Sequence, residues 1–93
     1  MQYYVVTYVH TDIAGWQAHL LAHAAYLRRL VGEGVLKVSG PFADEGPTKR
    51  AMLILMGESQ EQVLAVLRED PYWAHGLVAE YTIAEWKPMF GKL

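Results

Sequence analysis

The chain has 93 residues, of which 53% are hydrophobic and 19% are charged, and it carries a formal net charge of −2 with no cysteine. The charge argues against a nucleic-acid partner, and the absence of thiols excludes disulfides, thiolate nucleophiles and zinc–thiolate sites. The length predicts a single domain over residues 1–93, and the apolar content exceeds what its thin core needs, which favours a buried interface between copies of the chain.

The first half of the chain predicts a strand, a helix and a second strand. Residues 2–10 are rich in β-branched and aromatic side chains, and neither alternating face of this strand is clearly polar. A helix is predicted from about Gly15 to about Gly32, and residues 35–39 predict a short strand that ends at Gly40-Pro41. The apolar stripe of the helix spans an arc of roughly 100° and contains Trp16, Leu20, Leu27, Leu30 and Val31.

The second half repeats this alternation after a polar turn over residues 43–48. Residues 49–57 predict a strand that is apolar on both faces in its middle, which indicates a central or doubly covered position. Ser59 and Gln62 form a capping-box pattern that opens a second helix, and Asp70-Pro71 ends it. Residues 71–76 predict a compact turn or short 3₁₀ segment, and residues 77–87 predict the last strand.

The order of elements is β-α-β-β-α-β, which predicts an α+β, ferredoxin-like fold. Both helices are expected on one face of a four-stranded antiparallel sheet. The opposite face would carry tyrosine, valine or methionine side chains and would exceed the apolar patch normal for a monomer. A two-fold homodimer whose sheets face each other is therefore predicted.

No targeting or membrane-spanning segment is evident. The N-terminus lacks the basic and long apolar regions of a signal peptide, and no run approaches the roughly 18 apolar residues that cross a bilayer. The sequence thus predicts a soluble cytoplasmic protein with no membrane partner.

His23 is the most informative single position. It lies on the helical stripe between Leu20 and Leu27, so its imidazole is expected to point at the sheet. A buried imidazole needs a partner, because an unpaired buried polar group costs about 1–3 kcal/mol. It is interpreted either as a core histidine bonded to a backbone carbonyl or as a functional side chain.

Asp70 offers that partner. It stands where the second predicted helix meets the Pro71-Tyr72 turn, and it either bonds to its own turn or orients a histidine. Because both helices share one face of this fold, the end of the second helix can approach the first. A His23–Asp70 pair would set the imidazole tautomer and raise its basicity, which suits proton transfer near neutral pH.

The other histidines give weaker signals. His19 and His23 have the i, i+4 spacing of some metal-binding pairs, but there is no adjacent glutamate or further ligand, so no metal site is predicted. His10 ends a strand and His75 lies in the turn after Asp70, and both are interpreted as surface or rim residues.

Two segments are candidates for lining a pocket. Tyr72 and Trp73 either wall a pocket for a flat ring or pack as core aromatics. The Ser39-Gly40-Pro41 turn either brings backbone N–H groups near a substrate or only reverses the chain, and Ser39 has no nearby base that would make it a nucleophile.

An ordered set of segments resembles the YCII-like family. Members have a histidine early in the first helix, a Gly-Pro after the second strand and an Asp-Pro-Tyr-type motif after the second helix. The resemblance covers nearly the whole chain, and the order and spacing of the segments are more specific than any one of them. The matching segments are His23-Ala24-Ala25-Tyr26-Leu27, Gly34, Ser39-Gly40-Pro41, Asp70-Pro71-Tyr72 and Trp86-Lys87-Pro88.

The resemblance implies a dimeric α+β barrel with an active-site His–Asp pair, carried here by His23 and Asp70. The family is related in fold to muconolactone isomerases and includes a dehydrochlorinase that acts on a chlorinated hydroxyquinol. Many members have an arginine three residues before the histidine, where this chain has Leu20, so an anion-binding role is not carried over to that position.

Two functions are compatible with these observations. The leading hypothesis is a cofactor-independent enzyme in which His23 is the general base or acid and Asp70 orients it, acting by elimination or isomerisation on a small cyclic or aromatic substrate. In this hypothesis Tyr72 and the Ser39-Gly40-Pro41 turn line the pocket. The alternative is a non-catalytic small-molecule-binding or regulatory module, and haem- or flavin-linked oxidation has no distinctive sequence mark.

Overall fold

The computed structural model describes residues 1–43 and 46–93, so Asp44 and Glu45 of the predicted polar turn lie outside the described residues. It confirms the α+β fold and the predicted β-α-β-β-α-β order, with helices added before and after the two predicted ones. The strands form one antiparallel four-stranded sheet in the order β2-β3-β1-β4. The elements are β1 (Gln2–His10), α1 (Ile13–Ala18), α2 (Leu20–Gly32), β2 (Leu36–Pro41), β3 (Lys49–Gly57), α3 (Gln60–Arg68), α4 (Pro71–Ala74) and β4 (Glu80–Trp86).

The central strand β1 has one fully buried face and one partly covered face. Tyr4, Val6, Tyr8 and His10 are buried, whereas the residues between them are only partly buried. Because successive side chains of a strand point to opposite faces, these four share one face of the sheet. That face packs on α2 and α3, which contribute the buried side chains Leu30, Val63 and Leu67 to the core.

The predicted helix over residues 15–32 is two helices. Asp12 caps α1 by accepting a hydrogen bond from the Gly15 N–H at 3.0 Å. His19 separates α1 from α2 with φ −106° and ψ 8°. The His19 ring bonds through Nδ1 to the Gly15 carbonyl at 3.0 Å, in addition to the backbone N–H that bonds to the same oxygen. We attribute the break to the hydrogen bond between the His19 ring and the Gly15 carbonyl. Hydrophobic periodicity does not predict a bond of this kind.

The remaining element boundaries differ from the prediction by a few residues. Strand β2 extends to Pro41 and contains a register shift between Leu36 and Val38. The segment after Asp70 is a short α-helix, and β4 begins only at Glu80 because the Leu77 N–H bonds back to the Tyr72 carbonyl at 2.8 Å. None of the helices within residues 1–43 and 46–93 combines the length and apolarity needed to cross a membrane.

The second predicted helix begins as expected. Ser59 Oγ accepts from the Gln62 N–H at 3.1 Å, and the Gln62 side chain accepts from the Glu58 N–H at 2.6 Å. These bonds satisfy N–H groups that have no partner inside the helix. The far end of α3 leads directly to Asp70, so the cap at Ser59 fixes the helix whose end positions that carboxylate.

Candidate functional site

His23 and Asp70 are in direct contact. The His23 Nδ1 atom lies 2.8 Å from Oδ1 and 2.9 Å from Oδ2 of Asp70. His23 is near the start of α2, and Asp70 is the residue on which α4 begins. A hydrogen bond of 2.6 Å from the Tyr26 hydroxyl to the Val66 carbonyl joins α2 to α3 about one turn away and holds the two helices at this spacing.

The contact fixes the protonation pattern of the imidazole. An ionised carboxylate only accepts hydrogen bonds, so Nδ1 carries the proton that is shared with Asp70. The Nε2 atom of neutral His23 is therefore a lone-pair acceptor. Asp70 is 1% exposed, so water contributes little to its solvation. The site thus holds a base whose tautomer is set by a buried carboxylate.

Asp70 has a second function in the fold. Its Oδ1 atom also accepts from the Tyr72 N–H at 2.9 Å, and this bond caps α4. Pro71 stands at the first position of that helix, where its missing N–H leaves no bond unmade. The Asp70 carboxylate therefore has two functions: it caps the first turn of α4 and it bonds to His23.

Tyr72 covers one face of the His23 imidazole. Their ring centroids are 4.0 Å apart and their planes differ by 14°. The Tyr72 hydroxyl donates to the Trp16 carbonyl at 3.1 Å, which ties this ring to α1. Burial, followed by the nearby charge of Asp70, raises the pKa of Tyr72 to about 12, so the phenol stays neutral over the physiological range. The imidazole is consequently fixed in its plane as well as in its tautomer.

A cavity of about 520 Å³ opens beside this cluster. It lies between α2 and the helix-facing side of β1, β3 and β2, and its size falls within the roughly 300–1,000 Å³ of small-molecule pockets. Of the six residues proposed from sequence as catalytic or substrate-binding, five line it, and the sixth, Asp70, stands behind His23. The five are His23, Ser39, Gly40, Pro41 and Tyr72.

The cavity wall has apolar and polar parts. Leu20 occupies the wall one turn before His23, so the position of the family's arginine is an apolar contact here. Arg28 also lines the cavity, although helical phase placed it off the apolar stripe. Among residues 1–43 and 46–93, the lining contains no aspartate or glutamate.

Tyr8 and His10 also line the cavity, and sequence analysis missed both as site residues. They lie on β1, whose two faces are similarly apolar, so alternation did not reveal which face meets the helices. They share a face of β1 with Tyr4 and Val6, and only the structure shows that this face meets the helices. Both contribute polar atoms to a mainly apolar wall.

His10 is not the surface or rim residue that the sequence suggested. It is 1% exposed and lies at the end of β1, where it pairs with Lys49 of β3. Its Nδ1 atom donates to the Leu77 carbonyl at 2.7 Å, and its ring packs edge-on to Tyr72 at 4.9 Å. Burial lowers the pKa of His10, and the neighbouring His23 lowers it further.

The two remaining histidines form a separate pair at the surface. His75 is exposed as predicted, and its ring centroid lies 4.0 Å from that of His19. The Nδ1 atoms of His19 and His23 are engaged by different partners, Gly15 and Asp70. Within residues 1–43 and 46–93, no group of three or more His, Asp or Glu side chains is arranged to hold a metal ion.

Comparison with known proteins connects this geometry to a family. The family model of the YCII-related domain matches residues 1–87. The uncharacterised protein YjpA of Bacillus subtilis (strain 168) is 35% identical over 71 residues, which are 76% of this chain and 79% of that protein.

Two solved structures show the same fold. The 5-chloro-2-hydroxyhydroquinone dehydrochlorinase TftG from Burkholderia phenoliruptrix AC1100, in complex with 2,5-dihydroxybenzoquinone, superposes with a TM-score of 0.80 at 24% identity, covering 91% of this chain and 93% of that one. Protein Atu4242 from Agrobacterium tumefaciens has a TM-score of 0.56 at 20% identity, covering 96% of this chain and 94% of that one.

Proposed function

The chain belongs to the YCII-related domain family, and on that premise we propose that it is a small acid/base enzyme that needs no cofactor. His23 is the general base or acid, Asp70 orients it, and the substrate is a small cyclic or aromatic compound. The reaction class is elimination or isomerisation initiated by proton abstraction.

The observation that carries this proposal is the His23–Asp70 contact at 2.8 Å beside a cavity of about 520 Å³. With Nδ1 held by the carboxylate, Nε2 is the nitrogen that exchanges a proton with a bound molecule. A structural histidine would need only one partner. Here the ring is fixed in tautomer by Asp70 and in plane by Tyr72, and it lines the wall of a ligand-sized space.

The chemical step balances without an oxidant or reductant. The Nε2 lone pair takes a proton from a ring carbon or ring hydroxyl of the substrate, and the electron pair left behind forms a new π bond. In an elimination, the protonated His23 delivers this proton to the ring carbon that bears the leaving group. The leaving group then departs with its bonding electrons while a second ring hydroxyl gives up its proton to His23 and becomes a carbonyl. In an isomerisation, the protonated His23 returns the proton to another ring atom. Asp70 stabilises the imidazolium that forms between these events.

The shape of the cavity supports a flat ring as substrate. Leu20, Leu27 and Leu53 give it an apolar lining, and the Tyr72 ring stands in the same wall as His23. The backbone at Ser39, Gly40 and Pro41 borders it from strand β2. TftG, which shares the fold, acts on a chlorinated hydroxyhydroquinone and holds a dihydroxybenzoquinone, and we carry that substrate class to this chain as part of the proposal.

The test uses 5-chloro-2-hydroxyhydroquinone and follows chloride release by the wild type and by two variants. We expect His23→Gln to lower the rate by about 100-fold or more, and Asp70→Asn to lower it less, since general acid–base groups contribute roughly 10²–10⁴-fold. His75→Gln, at an exposed position, is the matched control.

Circular dichroism verifies that both variants remain folded. If His23→Gln releases chloride as fast as the wild type, the proposal is wrong. If the wild type binds the compound but releases no chloride, dehydrochlorination is wrong and the molecule is a binding module.

We also propose that the working unit is a homodimer joined through the sheet. The face away from the helices carries Val5, Ile54, Met52 and Trp86, of which Ile54 is buried and Met52 and Trp86 are 37% and 38% exposed. Large apolar side chains exposed on one face of a sheet favour burial against a partner surface. A second copy related by a two-fold axis covers this face with the same residues.

A further inference from the structure

The Tyr8 hydroxyl is a buried polar group without a hydrogen-bond partner. Tyr8 is 1% exposed, and within residues 1–43 and 46–93 its oxygen is the buried side-chain atom that no donor or acceptor satisfies. Leaving such a group unpaired costs about 1–3 kcal/mol. A phenylalanine would fill the same space without that cost. Packing alone therefore does not explain why this position carries a tyrosine and not a phenylalanine.

The position of Tyr8 suggests what its hydroxyl does. The residue lies in the middle of β1, paired with Ala51 on one side and Tyr81 on the other. Its ring is held against His10 at 5.8 Å and Trp73 at 6.2 Å, and it lines the same cavity as His23. A hydroxyl without a protein partner, on a residue of a mostly apolar cavity lining, is suited to a hydrogen bond with a molecule in that cavity.

The hydroxyl is a donor throughout the pH range of interest. Burial, together with the charge of Asp70, raises the pKa of Tyr8 well above its usual value. A neutral phenol donates its O–H proton to an acceptor, and an electron-rich oxygen on the ligand is such an acceptor.

We propose that the Tyr8 hydroxyl donates a hydrogen bond to a hydroxyl or carbonyl oxygen of the ring bound in the cavity. Tyr8 is then a positioning residue that selects oxygenated rings over hydrocarbon rings of the same size. This inference rests on the proposed function, because it deepens the substrate class of that site. Tyr8, on the sheet side of the cavity, would then recognise the substrate, and His23, on the helix side, would transfer the proton.

The test compares the binding of two ring probes to wild type and Tyr8→Phe by isothermal titration calorimetry. The oxygenated probe is 2,5-dihydroxybenzoquinone, and the hydrocarbon probe is p-xylene. We expect Tyr8→Phe to bind the quinone about tenfold more weakly, and to bind p-xylene as well as the wild type does or better. Tyr81→Phe is the matched control, because it removes a hydroxyl from the paired strand outside the cavity.

A second measurement separates recognition from packing. Without ligand, Tyr8→Phe should melt at the same temperature as wild type or higher, because the lost hydroxyl has no protein partner. A crystal structure of the wild type with the quinone should place a ligand oxygen within about 3 Å of the Tyr8 hydroxyl. This structure decides the matter even if the variant does not fold.

The outcomes separate this inference from the proposed function. If Tyr8→Phe binds the quinone as tightly as wild type while His23→Gln loses chloride release, the inference is wrong and the function stands. If Tyr8→Phe loses affinity while His23→Gln keeps full activity, the inference stands and the acid/base function is wrong. A wild type that does not bind the quinone overturns the inference outright.

Discussion

The Tyr72 ring lies against the His23 imidazole, with centroids 4.0 Å apart and planes 14° from parallel. The two residues come from different helices and are separated by 49 positions in sequence, as their numbers show. The Asp70 carboxylate binds one ring nitrogen and the Tyr72 ring stacks on one face, so together they restrict the imidazole to one orientation. This relationship leads to the first prediction.

Two substitutions at Tyr72 should have different effects. Tyr72→Phe keeps the stacked ring but loses the bond to the Trp16 carbonyl, so it should lower the free energy of unfolding by about 1 kcal/mol and leave turnover within about twofold. Tyr72→Leu loses the stack, and misplacement of His23 should lower turnover by about 10- to 100-fold. Urea unfolding and chloride release measure the two effects, and full turnover by Tyr72→Leu would contradict the positioning role.

Removal of the Asp70 carboxylate should destabilise the fold more than removal of an ordinary helix cap. Asp70→Ala leaves both His23 Nδ1 and the Tyr72 N–H without an acceptor in a buried place, and we expect a loss of about 2–4 kcal/mol. Ser59→Ala removes the exposed cap of α3 and should lose about 1 kcal/mol. Equal losses in denaturant titrations would show that the contact with His23 adds nothing to stability.

His10 predicts a dependence of stability on pH. Burial lowers its pKa from the ordinary value of 6.5, with His23 and Asp70 facing the same ring. Below that pH the unfolded chain takes up a proton that the folded protein resists, so stability should fall as the pH drops from about 6.5. The gap in unfolding free energy between wild type and His10→Gln should therefore shrink between about pH 7 and pH 5. A constant gap for His10→Gln across this range would contradict the prediction.

Two glycines should respond oppositely to alanine. A Cβ at Gly15 would lie 2.6 Å from both Asp12 Oδ2 and Leu77 Cδ2, so Gly15→Ala should destabilise the protein by about 1–3 kcal/mol. No atom lies within 4 Å of a Cβ at Gly32, and Gly32→Ala should stabilise α2 by about 0.5–1 kcal/mol. Thermal unfolding measures both changes. A stable Gly15→Ala would mean that α1 can move away from Leu77 at little cost.

A charge on the sheet surface should disrupt the proposed dimer. Met52 pairs with Thr7 on the face away from the helices, and Met52→Glu would place a carboxylate between two apolar sheets. We expect sedimentation velocity to show a dimer for the wild type and a monomer for this variant at micromolar concentration. Leu21→Glu, at an 81% exposed position of α2, should sediment like the wild type. A wild-type monomer would contradict the homodimer directly.

The sequence predicted the contact of His23 with Asp70 because two strong constraints met there. Helical phase directed His23 inward, and the β-α-β-β-α-β order put both helices on one face. Tyr8 and His10 were missed because both faces of β1 are apolar, so the period of two did not distinguish inside from outside. The break at His19 depends on a single ring-to-carbonyl bond, and the cavity depends on a gap between α2 and the sheet. Neither the helix break nor the cavity can be predicted from composition or from the spacing of apolar residues.

The two functions of the Asp70 carboxylate limit which substitutions this fold tolerates. One carboxylate both starts α4 and sets the His23 tautomer, so mutation at this position alters foldedness and reactivity together. Substitutions that change the substrate without disturbing the pair are expected at wall residues that do not contact it, such as Val38 on β2 and Leu20 at the start of α2. New specificities in this scaffold should therefore arise by changes at β2 and the outer turns of α2, with the Asp-Pro-Tyr segment held constant.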